Sequence, residues 1–142
     1  MSVKKNKPKN NNKWIFIGLA AVAVIIAAVL IFQPKTDSLP ATITVQQAND
    51  QFANGAYLLD VREPSEWNEA HVEGAVLVPL GELSARIDEI PTDQDVLIIC
   101  RSGNRSAQAR DILRAAGLNR TTSINGGINA WISAGLPVVA GP

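Results

Sequence analysis

The chain has one cysteine, Cys100, and one histidine, His71, among its 142 residues. A lone cysteine excludes an intrachain disulfide and any Cys-x-x-Cys redox or zinc pattern. Its position also excludes a lipid-modified N-terminal cysteine. Lysine is absent after residue 35, and arginine is absent before residue 62. The formal net charge of +0 therefore hides a segregation. From Leu39 onward seven arginines stand against twelve carboxylates, a net of −5, while six lysines and Asp37 give the first 38 residues a net of +5. A domain with that excess of carboxylates is a poor partner for nucleic acid, whose binding rests on neutralised phosphates. The length leaves room for one modest domain and an appendage.

The appendage is N-terminal. Residues 1–13 are rich in Lys and Asn and are predicted to be a disordered basic tail. Trp14 to Phe32 is nineteen residues without a charge. At helical rise such a stretch spans about 28 Å, close to the ~30 Å hydrocarbon core, which predicts a transmembrane helix. Five lysines precede it and one follows. The positive-inside rule then keeps the N-terminus in the cytoplasm and sends the rest to the extracytoplasmic side, periplasmic or extracellular. A cleaved secretory signal would have a shorter apolar region and a small-x-small site. Ile31-Phe-Gln-Pro34 offers no such site, so the segment reads as an uncleaved signal anchor. Residues 33–40, with Pro34 and Pro40, form a linker; 41–138 form the soluble domain and 139–142 a C-terminal tail.

The domain is organised around Val96-Leu97-Ile98-Ile99, the loop Cys100-Arg101-Ser102-Gly103-Asn104-Arg105, and a helical run from Ser106 to Ala116. An unbroken apolar run ending at turn residues reads as a buried parallel strand. Ala109, Ile112, Leu113 and Ala116 recur at helical spacing, and Gly117 is a C-terminal stop. Strand, tight loop and helix N-terminus together aim backbone N–H groups and the positive helix end at the loop's occupant. A thiol placed there ionises easily, because those groups stabilise the thiolate. Arg101 and Arg105 add to the field, which predicts an activated nucleophile in an anion-binding cradle.

Elsewhere Ala41–Val45 reads as an edge strand, Gln46–Asn54 as a helix ended by Gly55, and Tyr57–Val61 as a buried strand. Arg62–Trp67 turns into a brief helix with Pro64 in its first turn. Gly74–Val78 is a third strand, and Leu80–Ile90 a helical segment carrying Leu83, Ile87 and Ile90. Thr121–Ile124 is the last strand, Asn125-Gly126-Gly127 breaks it, and Ile128–Ala134 is the final helix. Alternating strands and helices imply an α/β fold, a parallel sheet with helices on both faces and right-handed crossovers. Ligands then sit at the carboxyl ends of the strands, where Cys100 and Asp60 both fall.

Four stretches in this order resemble the single-domain rhodanese (thiosulfate sulfurtransferase) family: Leu59–Trp67, His71–Pro79, Cys100–Ser106, and Gly126–Trp131 followed by Gly135-Leu-Pro137. The resemblance spans roughly Thr42 to Pro137. It implies a rhodanese-like α/β fold with a five-stranded parallel core, and transfer of a sulfane sulfur through a cysteine persulfide. Related phosphatases hold their arginine six positions after the cysteine, in a wider cradle suited to a phosphoryl group. Here Arg105 comes one position earlier, the next residue is Ser106, and Ile99 stands where a histidine would precede the nucleophile. Phosphatase and arsenate-reductase chemistry are thereby disfavoured.

On this reading Cys100 is the catalytic residue, and Arg101, Ser102, Gly103, Asn104, Arg105 and Ser106 bind substrate. Asp60 and Arg62 brace the loop by pairing with an arginine or a backbone N–H. His71, Trp67 and Trp131 are structural, and Glu63, Glu66, Glu69 and Glu73 form a solvated helix face. No cofactor and no metal are called for. The expected partners are a small sulfur-donor anion, a thiol or cyanide acceptor, and the membrane through residues 14–32. Asn104-Arg-Ser106 and Asn119-Arg-Thr121 match the N-glycosylation pattern. A glycan on Asn104 would obstruct the loop, so a bacterial membrane context is the easier one. Two functions remain open: an enzyme that turns over sulfur, and a non-turnover module that binds, senses or delivers it to a protein partner.

Overall fold

The computed structural model describes residues 38–142. The tail at 1–13, the apolar stretch at 14–32 and most of the linker lie outside the described residues. Among the described residues no helix is long and apolar enough to cross a membrane.

Five strands, β1 (Thr42–Ile43), β2 (Tyr57–Asp60), β3 (Val76–Leu77), β4 (Val96–Ile99) and β5 (Thr121–Ile124), form one sheet in the order β1-β5-β4-β2-β3. Every pairing is parallel. Among the described residues four helices connect or follow the strands: α1 (Val45–Ala53), α2 (Pro64–Glu69), α3 (Asn104–Ala115) and α4 (Gly127–Ser133). β4 lies between β5 and β2 and is buried at every position, which is what its unbroken apolar sequence requires. Its side chains alternate between two cores. Leu97 and Ile99 pack with Leu58, Ala48, Ile124 and Trp131. Val96 and Ile98 pack with Leu59, Val61, Ala109 and Leu113, and Cys100 joins that same cluster.

The register aligns Asp60 with Ile99, so β2 and β4 end side by side. The chain beyond β2 and the loop beyond β4 therefore share the carboxyl edge of the sheet, where a doubly covered parallel sheet builds its site. Farther along α3, Arg110 and Arg114 donate to the backbone carbonyls of Ala41 and Leu39. These contacts tie the incoming chain to the domain.

Several boundaries differ from the sequence expectation. Val45 is helical, not strand: Thr44 caps α1, its hydroxyl accepting from the Gln47 amide at 3.2 Å while the Gln47 side chain accepts from the Thr44 amide at 3.0 Å. That reciprocal cap outweighs the β-preference of one valine. The third strand contracts from Gly74–Val78 to Val76–Leu77. Leu80–Ile90 forms two 3-10 turns, Leu83–Ala85 and Ile87–Glu89, in place of a continuous helix. Ile90 precedes Pro91 and is extended, as a residue before proline prefers to be. Arg86, paired with both Glu82 and Glu89, marks the join between the two turns. α3 begins at Asn104, two residues before the expected start, and α4 begins at Gly127. The expected tail at 139–142 is tied down: Val139 bridges His71, and the Gly141 amide donates to the Asn68 carbonyl.

Candidate active site

Cys100 follows the last residue of β4 and is 1% exposed. Gly103 caps α3 with φ 103°, a left-handed value that favours glycine. This bend returns the chain toward the sulfur, and the Gly103 amide donates to Sγ at 3.1 Å. Ser106, on the first turn of α3, lies with Oγ 3.5 Å from Sγ. Its hydroxyl donates to the Gly103 carbonyl at 3.0 Å and is 2.8 Å from Ser123 Oγ on β5.

A serine hydroxyl has one proton and two lone pairs. While Cys100 is a thiol, its S–H donates to Ser106 and Ser106 donates onward to Gly103. Once the sulfur ionises, Ser106 can turn its proton onto it while Ser123 donates to Ser106. The pair is thus a hydroxyl relay that serves both forms of the sulfur. Burial pushes the thiol up, but the Ser106 hydroxyl and the amides of Ser106, Gly103 and Ser102 pull it down further. The net direction is below the ordinary thiol value. Hydrogen bonds to the charged form outweigh the cost of taking it from water.

The loop is held from behind by α4. The amides of Ile128 and Asn129 donate to the carbonyls of Cys100 and Arg101 at 2.7 and 3.2 Å. These bonds fix the start of the loop, whose later amides, those of Ser102 and Gly103, act on the sulfur. Gly127 makes the approach possible: a methyl group there would overlap the Cys100 carbonyl oxygen and lie 2.7 Å from the Arg101 carbonyl carbon.

The two loop arginines have different surroundings. Arg105 is engaged by Glu66 of α2 through two hydrogen bonds of 2.7 Å. Arg101 has 62% of its side chain exposed, and its Nε stands 3.8 Å from the same carboxylate. Glu66 is therefore not part of a solvated face, as the sequence suggested; 17% of its side chain is exposed. The Arg105 guanidinium lowers its carboxyl to about 2, and the pair raises Arg105 in turn. Ser102 and Asn104 are exposed, and Ser102 acts on Sγ through its main-chain amide.

Asp60 and Arg62 are buried together, with Nη2 to Oδ2 at 2.6 Å. Arg62 also donates to the carbonyls of Glu66 and Ala70 at 3.3 and 2.8 Å, at the C-terminal end of α2 where a cation is favoured. Their hydrogen bonds fix α2 rather than reach residues 100–106 directly. α2 in turn presents Glu66 to Arg105. His71 stacks on Trp67 with ring centroids 3.7 Å apart, and its Nδ1 lies 3.1 Å from the Trp67 carbonyl. Trp131 is buried and donates to the Pro137 carbonyl.

Glu66 and Ser123 escaped the sequence reading. The signal for Ser123 was a run of three hydroxyl residues, Thr121-Thr122-Ser123, in a strand buried throughout. Glu66 carried no signal apart from its place among the residues that follow Asp60.

Beside the loop is a cavity of about 100 Å³ whose walls include Glu66, Glu69, Arg101, Ile128, Asn129 and Ile132. A larger one, about 320 Å³, lies between Pro91–Gln94 and Ala116–Thr121, at the opposite end of α3 from Cys100.

The model of the rhodanese-like domain matches residues 44–134. The chain belongs to the rhodanese-like family. This rhodanese-like chain is 43% identical over 83 residues to a sulfurtransferase of Allochromatium vinosum, spanning 58% of this chain and 78% of that protein. It is 31% identical over 114 residues to a chloroplastic thiosulfate sulfurtransferase of Arabidopsis thaliana, spanning 72% of this chain and 95% of that one. Among solved structures it is similar to a rhodanese-related protein from Thermoplasma volcanium, with TM-score 0.66 and 33% identity over 70% of this chain and 98% of the other.

The Glu66–Arg105 pair of this rhodanese-like domain generates a pH signature. A carboxyl lowered in the folded state binds fewer protons there than when unfolded, so stability rises with pH across that interval. The contribution is fully present above the unfolded value of 4.5 and is lost as pH falls toward about 2. Unfolding measured between those pH values is expected to show this loss in the parent chain and a flatter dependence in Glu66→Gln. Equal slopes would remove the pair from the account.

Proposed function

We propose that the chain is a sulfurtransferase that carries a sulfane sulfur on Cys100 as a persulfide. The observation that supports this most strongly is the Sγ of Cys100 within reach of the Gly103 amide and the Ser106 hydroxyl, at 3.1 and 3.5 Å. The Cys100 thiolate attacks the outer sulfur of a donor such as thiosulfate. The sulfur–sulfur bond of the donor breaks, its electron pair leaves with sulfite, and the anionic Cys100 persulfide remains. An acceptor nucleophile, a thiolate in the cell or cyanide in an assay, then attacks the outer sulfur and returns the Cys100 thiolate. Splitting transfer this way replaces one difficult encounter with two easier ones. No general base is needed once the thiol is ionised.

Arg101, the more exposed guanidinium, steers the donor's sulfonate. Arg105, engaged by Glu66, acts chiefly to hold the start of α3 in place. The domain is further proposed to work outside the cytoplasm, tethered through residues 14–32; the lysine segregation supports that side.

Cys100→Ser is expected to abolish transfer from thiosulfate to cyanide, and transfer that survives would end the proposal. Uptake of one sulfur by Cys100 without turnover would instead mark a carrier or sensor. Arg101→Ala is expected to raise the KM for thiosulfate about threefold to tenfold with kcat little changed, as loss of an exposed charge contact does. For the location, protease shaving of intact cells is expected to remove the domain; a fully protected domain would place it in the cytoplasm.

A further inference from the structure

We propose that the small cavity beside the loop is the acceptor subsite and that it takes a zwitterionic amino-thiol, with the carboxylate on Arg101 and the ammonium on Glu69. The inference rests on the sulfurtransferase reading and extends it to the chemical class of the acceptor.

The cavity's volume, about 100 Å³, is well below the ~300–1,000 Å³ of drug-sized ligand sites. It suits a group the size of one amino acid. Its lining combines charges of both signs, Arg62 and Arg101 with Glu66 and Glu69, with an apolar wall. Arg101 supplies an exposed guanidinium, and sulfite departure leaves that guanidinium unoccupied for a second anion. Glu69 is exposed on α2 and has no ion-pair partner among the described residues, unlike Glu66, whose carboxylate is committed to Arg105. Ile132 is exposed to 48%, an unusual position for a large aliphatic side chain, and stands on the same wall as Ile128. A short aliphatic thiol with a carboxylate and an ammonium at its far end matches this combination. Ile128 also touches the main chain of the loop, because its amide donates to the Cys100 carbonyl.

The charge around the site argues the same way. Along the lining Arg62 and Arg101 balance Glu66 and Glu69, and the Cys100 persulfide adds a negative charge. A purely anionic acceptor meets net repulsion there, whereas one bearing an ammonium gains from it. In the transfer, the acceptor thiolate attacks the outer sulfur of the persulfide and forms a new sulfur–sulfur bond. The bond to Cys100 breaks, its electrons return to the Cys100 thiolate, and the acceptor leaves as its own persulfide. No outside oxidant or reductant enters.

The test uses the full chain, saturating thiosulfate and three acceptors: L-cysteine, cysteamine, which lacks the carboxylate, and 3-mercaptopropionate, which lacks the ammonium. Each thiol is compared only with itself across variants, so differences in thiol reactivity cancel. Glu69→Gln is expected to lower kcat/KM about fivefold for L-cysteine and cysteamine and to leave 3-mercaptopropionate unchanged or faster, as loss of one exposed charge contact does. Arg101→Gln is expected to lower it more for L-cysteine and 3-mercaptopropionate than for cysteamine. Equal effects on all three thiols, or none, would overturn the acceptor assignment while sulfur uptake by Cys100 leaves the transferase reading standing. Failure of Cys100 to gain sulfur from thiosulfate would overturn both.

Discussion

A sulfur anion buried to 1% exposure is costly unless the groups around it replace the water it has lost. Here the replacement is made by main-chain amides and one hydroxyl. The bend at Gly103 brings its own amide to Sγ, and the first turn of α3 adds the amide and hydroxyl of Ser106. Because these donors sit at a strand end and a helix start, with the Ser106 hydroxyl held by Gly103 and Ser123, they are oriented before any substrate arrives. Preorganised donors cost no rearrangement when charge develops, and this is their advantage over solvent.

Two supports keep that orientation. Behind the loop, α4 engages the carbonyls of Cys100 and Arg101, and glycine at 127 lets the helix start come close enough to do so. In front, the buried Asp60–Arg62 pair fixes α2, α2 presents Glu66, and Glu66 grips Arg105 on the first turn of α3. The parallel register brings the ends of β2 and β4 together, so residues 39 positions apart in sequence act on one loop. Arg101 is left largely free at the mouth, the one loop cation with most of its side chain in solvent.

What was legible in the sequence is what depends on local pattern. The apolar run of β4, the glycine in the loop and the periodicity of α3 located Cys100 at a strand end and the bend that follows it, since a strand buried on both faces and a helix start each leave a pattern in a few residues. Leu80–Ile90 misled because three apolar residues at helical spacing are also met by consecutive 3-10 turns; the extended residue before Pro91 decided the outcome. Val45 misled because capping by Thr44 depends on Gln47, three residues away. Glu66 was unreadable for a different reason. Its role is set by Arg105, 39 residues distant, and a carboxylate among carboxylates looks like solvated surface until the fold places a guanidinium against it. The stretch at 14–32 lies outside the described residues, and its reading rests on hydropathy and lysine asymmetry alone.

The account depends most on amides and a hydroxyl favouring the anionic form of one sulfur, and titration of the thiolate by its ultraviolet absorbance measures that preference directly. With Cys100 the only thiol, the signal needs no assignment. The expected result is an inflection below the ordinary thiol value that moves upward in Ser106→Ala. An inflection at or above the ordinary value, unmoved by that substitution, would contradict the account.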